Sequence, residues 1–212
     1  AATRAVVEDY GLVVVGIGTS ACFHSPDAQE RQRNLDSALR MAEVAAGLGA
    51  PAIRVFGDLI QAGSTREQTA AWIADSLTRL ADRLKPAGVQ VWLETHGDFA
   101  SDAEVRAIFA QLNGAEVGII WDPANAFEQT GEAPLILPSM AARIRHVHLK
   151  DLVRDVQGSF HYTPTGEGDF PFDTMFAALA GIGVDGGVSF EWEKLWHPER
   201  AGPEIALPHF ID

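Results

Sequence analysis

Two hydrophobic periods alternate along this chain. Short apolar runs rich in β-branched and aromatic residues, at positions 12–15, 52–56, 89–94, 117–122, 143–151 and 187–193, have the alternation or continuous burial of strands. Between them apolar residues recur three and four positions apart, as on a helix with one buried face: Leu35, Leu39 and Ala42; then Ile73, Leu77, Leu80 and Leu84; then Val105, Ile108, Phe109 and Leu112. Helix starts are marked by a short polar residue with an acid three positions on, at Asp27 and Glu30, Ser64 and Glu67, and Ser101 and Glu104. Gly47-Leu48-Gly49 and Lys85-Pro86-Ala87-Gly88 mark stops. The same reading predicts the end of a helix at 1–10, a loop at 16–24, a helix near 134–142, a long polar loop at 153–170 and a helix at 172–180.

Strand and helix in alternation predict an α/β fold, a parallel sheet joined by right-handed crossovers. An open doubly wound sheet and a closed barrel both satisfy that periodicity. The ionisable residues separate them, because an open sheet gathers ligands at one switch point, whereas a barrel gathers residues from many strand ends around one mouth. Here successive runs end in Glu94, Asp122, His148 and Glu191, which favours the barrel. Within 143–151, His146, His148 and Lys150 share one face and Val147 and Leu149 the other. If the strands are parallel neighbours, three carboxylates and one imidazole meet at one rim, a donor set for a divalent ion. Taken singly, each acid reads as a strand-end ion pair or a helix cap; four on consecutive strand ends point to a shared cation.

The 212 residues suffice for one sizeable core and no linker-like stretch divides them, so a single domain over 1–212 is expected. A formal net charge of −13 repels polyanions, which disfavours nucleic acid and anionic membranes and favours a small molecule held through a cation. The lone Cys22 has no internal disulfide partner, and the apolar run at 12–17 is too short to cross a bilayer. With no basic, apolar leader at the start, a cytoplasmic location is expected. No glycine-rich dinucleotide or phosphate loop follows any strand; Gly16-Ile17-Gly18 lacks the third glycine in register.

Five stretches together resemble a known family: Val91-Trp92-Leu93-Glu94-Thr95-His96, Ile119-Ile120-Trp121-Asp122-Pro123, His146-Val147-His148-Leu149-Lys150-Asp151, Gly166-Glu167-Gly168-Asp169 and Val188-Ser189-Phe190-Glu191-Trp192-Glu193. The family is the sugar phosphate isomerase/epimerase group of xylose-isomerase-like TIM barrels, which includes tagatose epimerases, hydroxypyruvate isomerase and inosose dehydratase. The resemblance runs from about residue 50 to the end. It implies a (β/α)8 barrel whose third to eighth strands are the six runs, with the first two absent from this sequence. Because a six-stranded remnant leaves edges open, an N-terminally incomplete barrel is the expectation. The apurinic-endonuclease branch of the superfamily carries extra histidines for a multinuclear zinc site; here Asn125 stands three residues after Asp122, where that branch places a histidine, and the charge is wrong for DNA.

By the resemblance, Glu94, Asp122, His148 and Glu191 hold Mn²⁺ or Mg²⁺, with Co²⁺ or Zn²⁺ also compatible, and Glu94 and Glu191 act as acid and base. A cation chelating a hydroxyl and the adjacent carbonyl of a sugar, sugar phosphate or hydroxy-keto acid acidifies the carbon-bound proton and stabilises the enediolate. Returning the proton to the neighbouring carbon, or to the opposite face, isomerises or epimerises the substrate. The alternatives are a metal-dependent dehydratase of the inosose dehydratase type and a non-catalytic carbohydrate-binding relic. His96 is a candidate donor to substrate or an orienting partner of Glu94. Lys150 is a candidate counter-charge to a substrate oxyanion, or else a partner of Asp151 or Glu167. His24 and Asn125, in loops after strands, are candidate substrate contacts. His146 reads as a buried, hydrogen-bonded histidine, Trp92 as an interior residue, and Trp121 and Trp192 as outward core. A homo-oligomer is compatible with all of this.

Overall fold

The computed structural model describes residues 2–132, 138–184 and 186–211. Its one large sheet is parallel, in the order β1 (Ile17–Cys22), β2 (Ala52–Phe56), β3 (Gln90–Glu94), β4 (Val117–Trp121), β5 (Ile144–Leu149) and β8 (Gly187–Phe190). Between β5 and β8 the strands β6 (Asp151–Arg154) and β7 (Phe160–Thr163) form an antiparallel hairpin. Helices α1 (Ala2–Asp9), α2 (Ala28–Leu48), α3 (Arg66–Leu84), α4 (Asp102–Phe109), α5 (Pro123–Thr130), α6 (Pro138–Ala141), α7 (Phe172–Ile182) and α8 (Pro203–Ile211) complete it. The sheet curls strongly: Arg54 of β2 comes within 3.8 Å of Glu191, just past β8, although β3, β4 and β5 lie between them. This is the arc of a (β/α)8 barrel, with β1 and β8 as its edges.

Stability sits on the convex face. Ile53, Val55, Val91 and Leu93 pack against Leu35, Ile73, Leu77 and Leu80, and further round Ile119, Trp121, Val147 and Leu149 pack with Leu152, Phe170 and Met175. Each such side chain contributes roughly 1.5–3 kcal/mol by leaving water. Among the described residues the concave face holds a single small apolar cluster, Ala52, Trp92 and Ile120. Trp92 lies opposite Gly118, and a Cβ at Gly118 would run into its indole, so the glycine makes room for the plug.

Several expectations are corrected. The first strand is not 12–15, where Val13 is 85% exposed, but the segment after it, pairing with β2 from Ile17 opposite Ile53. Its buried positions are Thr19 and Ala21; the Thr19 hydroxyl donates to the Arg54 carbonyl at 2.6 Å, so a strand of small and polar residues pairs without an apolar run. Asp27 caps α2 by accepting the Gln29 N–H, but Glu30 accepts from the Ser25 hydroxyl rather than closing a box. The box of α3 lies one residue later than expected, at Thr65 and Gln68. Ser101 precedes α4 with no side-chain cap, and Glu104 pairs instead with Arg66 at 3.1 Å. Of the helix expected near 134–142, α6 is a single turn, and 133–137 lie outside the described residues. The 153–170 stretch contains most of the β6–β7 hairpin, and α5 and α8 were not expected.

Candidate metal centre

Four of the six sheet strands deliver a donor to one point. Glu94 is the last residue of β3 and is buried. Asp122 follows β4 directly and caps α5, its Oδ1 accepting the N–H groups of Ala124 (3.0 Å) and Asn125 (3.3 Å), while Pro123 takes the first helical position, where no N–H is needed. The Thr95 hydroxyl fixes the Asp122 backbone, accepting from its N–H and donating to its carbonyl, and with Oδ1 committed to the α5 N–H groups Oδ2 is left for the interior. His148 projects from β5, and Glu191 follows β8, fixed by its N–H to the Leu149 carbonyl at 2.8 Å. One ligand atom from each of Glu94, Asp122, His148 and Glu191 lies within 4.8 Å of the other three.

Three carboxylates this close repel, and two cations hold them. Lys150 Nζ, buried, lies 2.8 Å from Asp122 Oδ2, 2.9 Å from Glu191 Oε2 and 3.9 Å from Glu193 Oε1. Arg54 Nη1 lies 3.0 Å from Glu94 Oε2 and 3.8 Å from Glu191 Oε1. Burial pushes the Asp122 carboxyl up to about 7, helped by the charges of Glu191 and Glu94 and opposed by Lys150. Burial also opposes ionisation of Glu191, but Lys150 and His148 outweigh it and hold this carboxyl below the usual range. His148 is raised, its burial overcome by Glu94, Glu191 and Asp122.

The donor set fits a divalent cation. Glu94 Oε2, Asp122 Oδ2 and His148 Nδ1 are sealed from solvent and make no hydrogen bond; the approaches of Arg54, Lys150 and the carboxylates to them are ion pairs at contact distance without hydrogen-bond alignment. Three buried polar atoms left over at one point are costly unless a cation takes them. One imidazole and three carboxylates suit Mn²⁺, Mg²⁺ or Zn²⁺.

The other sequence candidates divide. His96 and His24 both turn to Asp58, with Nδ1 3.5 and 3.8 Å from its oxygens. The Asp58 contact raises His96 above its ordinary value despite burial, and His96 in turn lowers Asp58. Lys150 meets Asp122 and Glu191 rather than Asp151 or Glu167. Asp151 accepts four backbone N–H groups, from Leu152, Gly166, Gly168 and Phe170, which explains the Gly166-Glu167-Gly168 stretch as a latch. Asn125 lies in α5, not a loop; it is buried and its amide donates to the Thr95 carbonyl at 2.8 Å, bracing Asp122 from behind. His146 Nε2 is 2.6 Å from the Ser189 hydroxyl, and burial, with His148, lowers it to about 4. Trp92 and Trp121 are placed as expected, but Trp192 lines the mouth beside Arg54, Glu94 and His96, its indole N–H donating to the Ala201 carbonyl. Sequence reasoning missed Arg54 and Asp58. Part of the signal was present: Arg54 and Phe56 alternate inward on β2 just as Trp92 and Glu94 do on β3, and Asp58 and His96 stand two residues beyond those strand ends.

Comparison with known proteins agrees with this fold. The model of the xylose isomerase-like TIM barrel family matches residues 1–208. A ketose 3-epimerase of Arthrobacter globiformis is 32% identical over 133 residues, 58% of this chain and 43% of that protein. An inosose dehydratase of Lacticaseibacillus casei is 27% identical over 153 residues, 64% of this chain and 50% of that protein. The chain thus spans about half the length of these relatives. The crystal structure of the IOLI protein with a bound zinc atom superposes with a TM-score of 0.81 at 18% identity, covering 100% of this chain and 79% of that one. No helix among the described residues is long and apolar enough to cross a membrane.

Proposed function

The chain belongs to the xylose isomerase-like TIM barrel family, and from that premise we propose that it is a divalent-metal-dependent isomerase or epimerase of a small sugar, sugar phosphate or hydroxy-keto acid. The observation that carries this reading is the convergence of Glu94, Asp122, His148 and Glu191 with three of their ligand atoms buried and unbonded. These four residues would hold the ion. When bound, a divalent cation neutralises the negative charge that develops on a substrate carbonyl oxygen and so acidifies the adjacent C–H.

The remaining work falls to the chain's own groups. Glu191, kept ionised by Lys150 and His148 against its burial, is competent to take the proton from the carbon beside the carbonyl. Glu94 enters from β3 while Glu191 enters beyond β8, two intervening strands away, so the two carboxylates flank a substrate from different sides. One removes the proton and the other returns it, which is what distinguishes epimerisation or isomerisation from simple enolisation. Lys150, beneath the cluster, fixes the orientation of Asp122 and Glu191. At the rim, His96 and Trp192 supply a polar group and an apolar wall for the hydroxyls and carbon face of a carbohydrate-like substrate.

Incubating the protein with Mn²⁺, a panel of ketoses and hydroxy-keto acids, and deuterated water tests this. Label should enter at the carbon beside the carbonyl, and Glu191→Gln should slow its entry by about 10²-fold or more. A Glu191→Gln protein that exchanges label at the wild-type rate removes Glu191 from the proton path. The likeness to an inosose dehydratase favours a second reading, in which the same base is followed by loss of a hydroxyl; a product lighter by one water identifies it. Metal bound with no label incorporated from any substrate leaves a carbohydrate-binding relic.

A further inference from the structure

Beside the four-donor cluster, another set of ligand-type side chains converges that the proposed reaction does not use. The sheet register sets it up. Cys22 pairs with Phe56 and Phe56 with Glu94, so these form one row of concave-face residues across β1, β2 and β3. His24, Asp58 and His96 each stand two residues beyond these strand ends, on the side of the mouth, and both histidines turn to Asp58. One ligand atom each from Cys22, His24 and Asp58 lies within 4.8 Å of the other two. Cys22 is a free thiol. His24 Nδ1 is sealed from solvent and makes no hydrogen bond, although Asp58 Oδ2 is 3.8 Å away. On the other side of Asp58, His96 Nδ1 is likewise sealed and unbonded, 3.5 Å from Oδ1. Two imidazole nitrogens facing one carboxylate too far away for good hydrogen bonds, with a thiol alongside, leave buried polar atoms that a shared cation would satisfy.

We propose that Cys22, His24 and Asp58 form a second metal site, distinct from the four-donor cluster, that takes a borderline-soft divalent ion such as Zn²⁺ or Co²⁺. The sulfur makes the difference: three carboxylates and an imidazole suit hard ions, whereas thiolate, imidazole and carboxylate together select zinc-like ones. Three protein ligands leave a fourth position for His96 or a ligand entering from the mouth. Binding replaces the Cys22 S–H bond with a metal–sulfur bond, and the proton leaves to solvent. Nothing in this depends on the isomerase reading.

Because Cys22 is the only cysteine in the chain, any metal–thiolate signal belongs to it. Titrating Co²⁺ into the metal-free full chain should give a near-ultraviolet thiolate-to-cobalt charge-transfer band, with two equivalents bound by elemental analysis. Glu94→Gln should weaken the other site and keep the band; Cys22→Ser should abolish the band and leave one equivalent. On the unmodified chain, Zn²⁺ should slow iodoacetamide alkylation of Cys22 by more than tenfold, a readout that holds whether or not the variants fold. Cobalt bound without a charge-transfer band, or alkylation unaffected by Zn²⁺, overturns the second site and leaves the proposed function standing. A band with a single equivalent, retained in full by Glu94→Gln, supports the second site and counts against the first.

Discussion

Replacing Lys150 with methionine isolates the electrostatic argument for the site. The ammonium is 3% exposed and lies 2.8 and 2.9 Å from carboxylate oxygens of Asp122 and Glu191. Burial works against its charge, but those two acids outweigh it and hold the lysine above its ordinary value, so it is ionised at every physiological pH. Methionine keeps most of the length and volume, which confines the loss to the charge. What remains is three carboxyl groups with ligand atoms within 4.8 Å, and any two of them that stay ionised repel by about 3.5 kcal/mol at an effective dielectric constant near 20. Removing one partner of a buried ion pair costs about 3–5 kcal/mol. At about 2–4 °C per kcal/mol for a chain of this size, the metal-free variant should melt roughly 6–20 °C below the wild type. Mn²⁺ restores positive charge at the same place, so saturating Mn²⁺ should raise the Tm of the variant by more than it raises that of the wild type. Calorimetry in EDTA and then in Mn²⁺ measures both shifts. A variant melting within about 2 °C of the wild type in EDTA, well below the expected range, would falsify the claim that Lys150 holds these acids together.

With Asp122 pushed up to about 7 from an ordinary 3.8, the folded chain keeps a proton that the unfolded chain has released between those values, so this group's contribution to stability falls as pH rises through the window. Urea unfolding in EDTA should therefore lose about 2 kcal/mol between about pH 5.5 and 7 on account of Asp122, and Mn²⁺ affinity, which requires that proton to leave, should strengthen toward pH 7 and level off above it; the opposite slope in the calorimetric titration sinks the assignment. Asp151→Ala strands four backbone donors, at 2.8, 2.8, 3.0 and 3.2 Å in the intact chain, and should cost about 3 kcal/mol or more, with new proteolytic cleavage in 164–170; an unchanged cleavage pattern means that the latch does not restrain that loop.

Much of the centre is legible in the sequence, because β2, β3, β4 and β5 are buried on the helix side and their inward ends carry groups that have no packing role. Glu94, Asp122, His148 and Glu191 stand out for that reason. Strand β1 is hidden because its inward-facing positions are small and its outward Thr19 meets its hydrogen-bonding need on the neighbouring strand. Arg54 is hidden because one cation within an apolar run reads as an edge residue until the sheet curls and brings Glu191 to it. Helix α5 is hidden because Pro123 after Asp122 reads as a break, although a proline at the first helical position is where helices commonly begin. Asn125 reads as a loop residue until that helix turns it inward onto Thr95. Long-range curvature and the conversion of a turn into a helix are tertiary facts, invisible to local periodicity.

The division between a convex wall of interlocked aliphatic side chains and a concave wall that holds almost none has an evolutionary consequence. His146 and Ser189 face the hollow, so exchanging them reshapes what fits inside while Leu77, Leu80 and Val147 keep the helices fastened to the strands. A lineage built this way can change what its hollow admits by rewriting the lining, with the shell that keeps the wall upright left untouched.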